Sequence, residues 1–336
     1  MKRTLAILIA LAMSVMMLTA CGSKDGTSGT PDNSGDADQT STGSYPGNKN
    51  VTLYCGYSAG GSSDTLCRLL GEKLGTTVTV ENVTGASGWV MWNQMMESTK
   101  PDGYSFFLIN SPNVTTGKYD PDNTMKYDQN DFEMICNEVT DSNCLAIRVD
   151  DDRYSDWDSF AAYWKQAGSL ITSASGLGIT SDDATADMLV ANDLGVDVDI
   201  IASGGSGDNV TFLLNGTTDF LMGNVSEMVA AHNDGQFKIL CVFAEERDSN
   251  LPDVPTYEEL TGNLVVGCSS RGYAMLKDVP DDIKQILGDA VKAAVQDPDL
   301  IEQLNAIYTT TDYKEGQEYV DYMNQQQQQA RETWGV

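Results

Sequence analysis

Apolar residues recur along the chain in two alternating rhythms. Residues 51–57 form a short apolar run of strand length, and 62–74 then carry Leu66, Leu69, Leu70 and Leu74 at the spacing of one helical face. Residues 77–81 alternate as a strand, 88–98 read as a helix with Val90, Met91 and Met95 to one side, and 104–109 as a further strand. A second series repeats the alternation, with strands at 170–173, 198–202, 219–222 and 237–243 and helices at 181–194, 208–214 and 225–233 between them. Strands separated by helices indicate βαβ units and parallel sheets, hence an α/β fold. Apolar crossings near 132–149 and 264–276 join the two series. They predict two lobes connected by two strands, 50–140 with 268–336 as lobe 1 and 141–267 as lobe 2. In such an architecture the ligand cleft lies at strand C-termini and helix N-termini. Helices at 281–295, 299–308 and 314–334 close the chain, and the glutamine run 325–329 in the last of them reads as a solvated face.

The first fifty residues have a different character. Lys2 and Arg3 precede the apolar run 5–18, which leads into Leu18-Thr19-Ala20-Cys21. A short positive start, an apolar stretch and small residues before a cut are the layout of a secretory signal. The run falls short of the ~20 residues that a membrane span takes. Residues 18–21 resemble a bacterial lipobox, in which Cys21 is lipidated and becomes the mature N-terminus. The alternative is an ordinary signal peptide with Cys21 incidental. Residues 22–49 favour the lipobox: mostly Gly, Ser, Thr, Asp, Asn and Pro, they bury too little apolar surface to offset their ordering entropy. The expectation is a signal peptide at 1–20, a flexible tether at 21–49 and a soluble body held at the outer face of the cytoplasmic membrane through its lipid anchor alone.

Composition narrows the chemistry. The 336 residues carry 20 Lys+Arg against 49 Asp+Glu and one histidine, a formal charge of −29. Nucleic-acid binding needs a basic face, and no Lys/Arg cluster supplies one. A Ser–His–Asp triad would have to use His232, and no G-x-S-x-G elbow exists; an extracellular hydrolase is therefore the weaker reading. The aspartates around Asp150-Asp151-Asp152 lack the Gly and final Glu of a calcium loop. No metal or cofactor is expected. Beyond Cys21 there are six cysteines, none in C-x-x-C spacing. Cys55, Cys241 and Cys268 sit in apolar runs as small hydrophobes. Cys136 and Cys144 flank a turn-like segment and could bridge two adjacent strands; an oxidising compartment permits that bond without requiring it.

Three Gly/Ser-rich turns lead from a strand end into a helix start. The first is Tyr57-Ser58-Ala59-Gly60-Gly61-Ser62-Ser63-Asp64, the second spans 173–182 with Gly178, Thr180, Ser181 and Asp182, and the third spans 203–208 with Ser203 and Asp208. Paired glycines permit close backbone approach, and a helix N-terminus binds anions without any Lys or Arg. Together the turns would present N–H and hydroxyl donors from both lobes to one small anionic ligand. Asp64, Asp182 and Asp208 serve as helix caps or first-turn residues, or would meet an ammonium group if the ligand is an amino acid. Ser111 and Asn110, after the third strand, point to the same cleft, and Tyr57, Trp89 and Trp92 either wall it or belong to the core.

These segments resemble a known family. Residues 57–64 with Arg68 are similar to the P-[FY]-x-A-G-G-x-x-D-x-x-A-R signature of substrate-binding proteins of tripartite tricarboxylate transporters, the Bug or TctC-like proteins. Val80-Glu81-Asn82 followed by Gly85-Ala86-Ser87-Gly88 resembles V-E-N-x-x-G-A-G-G, and Pro101-Asp102-Gly103-Tyr104 resembles P-D-G-Y. Asn215-Gly216-Thr217-Thr218-Asp219 is similar to G-G-x-x-D, and Leu251-Pro252-Asp253-Val254-Pro255-Thr256 to L-P-D-V-P-T. Gly56 stands where the family usually has Pro, Cys67 where it has Ala, and 201–205 lacks the Tyr and Lys of V-P-Y-K-G. The resemblance implies a type II periplasmic-binding-protein fold closing on a carboxylated metabolite by hinge motion, with the loaded protein delivered to membrane permease subunits. It implies that Ser58, Ala59, Gly60, Gly61, Asp64, Gly178, Thr180 and Ser181 line the site. A ligand-sensing ectodomain of the same fold is the alternative, and a monomer is expected.

Overall fold

A computed structural model describes residues 45–120, 125–174 and 178–336. The expected signal peptide, Cys21 and the tether up to residue 44 lie outside the described residues. The first series comprises β1 (Val51–Cys55), α1 (Ser62–Lys73), β2 (Val78–Asn82), α2 (Trp89–Ser98), β3 (Ser105–Ser111) and the single turn α3 (Asn113–Thr116). After β4 (Phe132–Arg148) come α4 (Trp157–Ala167), β5 (Ser169–Ala174), α5 (Asp182–Leu194), β6 (Asp197–Ala202), α6 (Ser206–Leu214), β7 (Leu221–Asn224), α7 (Val225–Asn233), β8 (Phe237–Val242) and α8 (Tyr257–Thr261). β9 (Cys268–Leu276) returns the chain to the first series, which α9 (Asp281–Val295), α10 (Pro298–Ala306), β10 (Thr311–Glu315) and α11 (Gly316–Trp334) complete.

β1 shows how pattern becomes packing: Val51, Leu53 and Cys55 are buried while the intervening side chains are only half so. It pairs in parallel with β2 and β3, and β3 pairs antiparallel with β9. The sheet runs in the order β10-β4-β9-β3-β1-β2. β4 is the long member. Its first part, to Ser142, pairs with β9, and from Asn143 onward it pairs with β7 and β8. β5 and β6 make a separate parallel pair. Two hydrophobic regions follow from this wiring. One combines residues 51–139 with 273–323; the other, in two clusters, uses only residues 144–265. This is a two-lobed α/β fold whose lobes share β4 and the return through β9.

Two local expectations fail here, and the question left open by Cys136 and Cys144 is answered. Cys136 and Cys144 lie on one uninterrupted strand, so their Cα atoms are ~26 Å apart at ~3.3 Å per residue. A disulfide needs less than ~7 Å, and both thiols are free and buried. The polar residues 137–143 look like a turn, yet the segment is strand, paired with β9 up to Ser142. On α2, Met91 and Met95 are fully buried, whereas Val90 is 46% exposed, because adjacent helical positions do not share a face. The glutamines of α11 are not a solvated face. Gln326 donates to Cys268 Sγ and accepts from Ser111, Gln327 donates to Thr115 O and Gln329 to Val266 O; Gln325 and Gln328 remain exposed. The helix ends on the other lobe, where Trp334 Nε1 donates to Thr185 Oγ1 at 3.1 Å.

The crossing of β4 and β9 is tight enough to demand glycine. A Cβ on Gly272 would meet Cys136 O and lie 2.8 Å from Asn137 Cα, both backbone atoms of the neighbouring strand. Gly272→Ala should cost ~1–3 kcal/mol, as overpacking does. Urea unfolding of the purified protein measures this; an unchanged midpoint would mean that the ladder can relax.

Candidate functional site

Between the lobes lies a polar cleft of about 340 Å³. Lobe 1 contributes Tyr57, Ser62, Ser63, Ser87, Asn110 and Asn113, the opposite lobe Thr180, Ser181, Asp182, Asn224 and Glu227, and β9 the floor residues Ser269 and Arg271.

The first turn brings Tyr57, Ser62 and Ser63 there by a fold within itself. Gly60 adopts φ +83°, a left-handed conformation, and its N–H donates to Asp64 Oδ2 at 2.8 Å. Arg68 Nε donates to the same oxygen and Asn82 Nδ2 to the other. Burial works against ionisation of Asp64, but Arg68, the Gly60 N–H and Asn82 outweigh it and hold the carboxyl below its ordinary range. Asp64 therefore ties the turn together from beneath, and Ser58, Ala59, Gly60 and Gly61 form the exposed bend beside the cleft. Gly56 packs directly on Gly88: a Cβ there would be 2.7 Å from Gly88 Cα. This approach seats a run of left-handed residues, Gly85, Ala86, Ser87 and Gly88, against the first turn. Ser87 O then accepts from the Tyr57 hydroxyl at 3.1 Å. Burial pushes the Tyr57 phenol well up, against the pull of the Arg271 cation, so it stays a neutral donor.

In the second turn Ser181 caps α5, accepting from Ala184 N–H at 3.2 Å, and Thr180, Ser181 and Asp182 face the cavity. Gly178 opens the short 3-10 turn Gly178–Thr180 and does not line the cleft. Thr180 O accepts from Asn113 Nδ2 at 3.2 Å, one direct bond between the lobes. The third turn stays apart: Asp208 accepts from Gly204 N–H, and Ser203 Oγ donates to Ala174 O. Its link to the cleft is Ser206, whose hydroxyl donates to Glu227 Oε2. Ser111 is fully buried and turned toward α11, donating to Gln326 at 2.8 Å. Trp89 and Trp92 are core, their indole N–H groups donating to Asn113 O and Leu108 O.

Of the residues singled out from the sequence, Tyr57, Ser62, Asn110, Thr180, Ser181 and Asp182 line the cavity, and Ser58, Ala59, Gly60, Gly61, Asp64, Ser111, Gly178, Ser203 and Asp208 lie outside its lining. Sequence reasoning overlooks Arg271. This side chain is 5% exposed, and among the described residues its partner is the Asp141 carboxylate at 3.7 Å, beyond hydrogen-bond distance. A guanidinium has five donors in a rigid fork; here the side chain lines the cleft, and none of its donors makes a hydrogen bond to a described residue. The expectation of a site without basic side chains therefore gives way to one with a buried cation at its floor. The available signal was a lone charge inside the apolar crossing 264–276, since Arg is almost never buried unless paired.

Two buried acids tune that floor. Burial raises Glu138 to about 7, with the Tyr273 hydroxyl (2.6 Å) and Arg271 working against it. Burial likewise raises Asp141 to about 6, opposed by Arg271 and by Ser226, which donates through both its hydroxyl and its N–H. Among the described residues no group of three or more His, Cys, Asp or Glu could hold a metal ion. Nor is any helix there long and apolar enough to cross a membrane.

Residues 65–333 match the family model described as the tripartite tricarboxylate transporter family receptor, TctC. A TctC solute-binding protein from Polaromonas is similar in structure, with 25% identity and a TM-score of 0.71 over 84% of this chain and 97% of that one. MatC from Rhodopseudomonas palustris with bound malate superposes with a TM-score of 0.68 at 23% identity, over 85% of this chain and 98% of that one. An R. palustris protein with adipate gives 0.74 at 20% identity, over 85% and 97%.

Proposed function

Since the chain belongs to the TctC family of tripartite tricarboxylate transporter receptors and is a solute-binding protein, not an enzyme, we propose that it captures a small organic acid in the cleft above Arg271. The observation that carries this reading is the buried guanidinium without a protein hydrogen bond at the cavity floor. A carboxylate placed there gains charge-assisted, bidentate bonds and separates Arg271 from Asp141. Hydroxyls of Ser62, Ser63, Thr180 and Ser181 would take the remaining oxygens. The malate and adipate held by two related receptors support an acid as ligand. Closure would bring 141–267 onto 50–140 with 268–336, bending β4 where its partners change at Ser142 and Asn143.

Cys21 anchors this body at the outer face of the membrane through a diacyl group, the tether lets it reach permease subunits, and the loaded monomer delivers its ligand to them. Two experiments test the reading. A thermal-shift screen of organic acids should find one that, at a hundred times its Kd, adds about 2.7 kcal/mol; no response to any acid sinks the receptor proposal. Cys21→Ser should release the protein from the membrane fraction into the soluble one, and persistence in the membrane would exclude the lipid anchor.

A further inference from the structure

We infer, on the footing of the receptor reading above, that the cleft selects a ligand bearing a protonated amine as well as a carboxylate, an amino acid and not a plain di- or tricarboxylate, with Arg271 receiving the carboxylate and Asp182 the ammonium.

The charges lining the cavity are unbalanced for a bare polyanion. Arg271 is the one basic side chain among them, set against Asp182 and Glu227, with Asp141 already beside the guanidinium. The helix N-termini do not make up the deficit. Two that open on the cleft already carry a lining acid in the first turn, Asp182 on α5 and Glu227 on α7, while Asp64 on α1 is neutralised by Arg68. The positive ends of α5 and α7 are thus largely compensated before any ligand arrives. The second carboxylate of a plain diacid would have to settle among acids of its own sign.

The acceptors that remain are arranged for a donor. Asp182 Oδ2 accepts from Asn143 Nδ2 at 3.2 Å and Asn224 Nδ2 at 3.0 Å. These amides, from β4 and the end of β7, hold the carboxylate at the cavity wall, while its Oδ1 takes no hydrogen bond from the described residues. Glu227 is held by one oxygen too, through Ser206. Asn110, a lining residue only 8% exposed, leaves its Oδ1 buried and without a partner. One buried cation short of acceptors and several acceptors short of donors, in one cleft, match a zwitterion.

The test uses matched pairs differing only in amine against hydroxyl: L-aspartate and L-malate, L-glutamate and L-2-hydroxyglutarate, L-alanine and L-lactate, with adipate and citrate as plain acids. Calorimetric titration of the wild-type protein should give an amino acid as the tightest binder, about ten-fold or more ahead of its hydroxy partner. In Asp182→Asn the members of that pair should come within about three-fold of one another, chiefly through weaker binding of the amine. Should malate, adipate or citrate bind as tightly as any amine, the inference falls and the receptor reading stands. Binding of none of the eight overturns both. The wild-type comparison decides even where Asp182→Asn does not fold.

Discussion

Arg271→Met should abolish ligand-induced stabilisation and weaken binding at least ~100-fold. A carboxylate on a buried guanidinium makes two hydrogen bonds to a charged group, each worth about 1.5–3 kcal/mol, and methionine fills similar space while supplying neither. Arg271→Lys keeps the charge without the planar fork, so it should recover part of the affinity and not all of it. The unliganded protein should suffer far less, because Asp141, deprived of its cation, can take up a proton; burial already raises it to about 6. Titration calorimetry combined with melting of the free variants separates the two effects. A variant that melts like the wild type and binds as well would remove Arg271 from the site.

Stability should be greatest under mildly acidic conditions and decline steeply across neutrality. Glu138 and Asp141 are raised to about 7 and about 6 from 4.5 and 3.8, so the native state holds protons that the unfolded chain has released. Asp183 and Asp187 are raised well above 3.8 in the same way, by burial; both Asp187 oxygens lack partners among the described residues. The stability from these groups is fully present below pH ~4 and is lost as pH rises through their folded values, roughly 3 kcal/mol for each of Glu138 and Asp141. Asp151 has the opposite sign. Hydrogen bonds from Arg153 hold it at about 2, so its contribution is present above 3.8 and lost only as pH falls toward 2. The two windows leave a maximum near pH ~4–5. Melting temperature against pH measures it, and Glu138→Gln should flatten the neutral flank. A maximum at pH ~7 or above would mean that these acids ionise freely in the fold.

Most of the scaffold was legible because each lobe repeats one physical solution, an apolar strand followed by a one-faced helix. Legibility ended where a residue's role depends on what crosses it. Residues 137–143 read as a turn, yet β9 lies along them and β4 never breaks. The glutamines of α11 read as solvent-facing, since amides are neutral to local pattern; their partners at Ser111, Thr115 and Val266 are remote in sequence. Two of the three glycine turns supply residues that line the cleft. What no local pattern could reveal was that Asp64 and Asp208 fold back on their own turns. Arg271 becomes central only once β9 is laid between β3 and β4.

That placement of β9 also sets an order of assembly. The region built from residues 144–265 is contiguous and can close on itself as soon as it has emerged. The other region joins residues 51–139 to 273–323 and must wait. Until Cys268–Leu276 arrives, β3 has no neighbour on one side, and the first part of β4 lacks the partner that spans it. Unpaired edges of this kind invite association with other chains, and long-range pairing is slow to form. Loss of the last ~60 residues would leave these edges aligned but the core against them unfilled, since Leu287, Val291, Leu300, Tyr319 and Met323 seal it. In a chain that appears N-terminus first, the half made earliest is the half completed last.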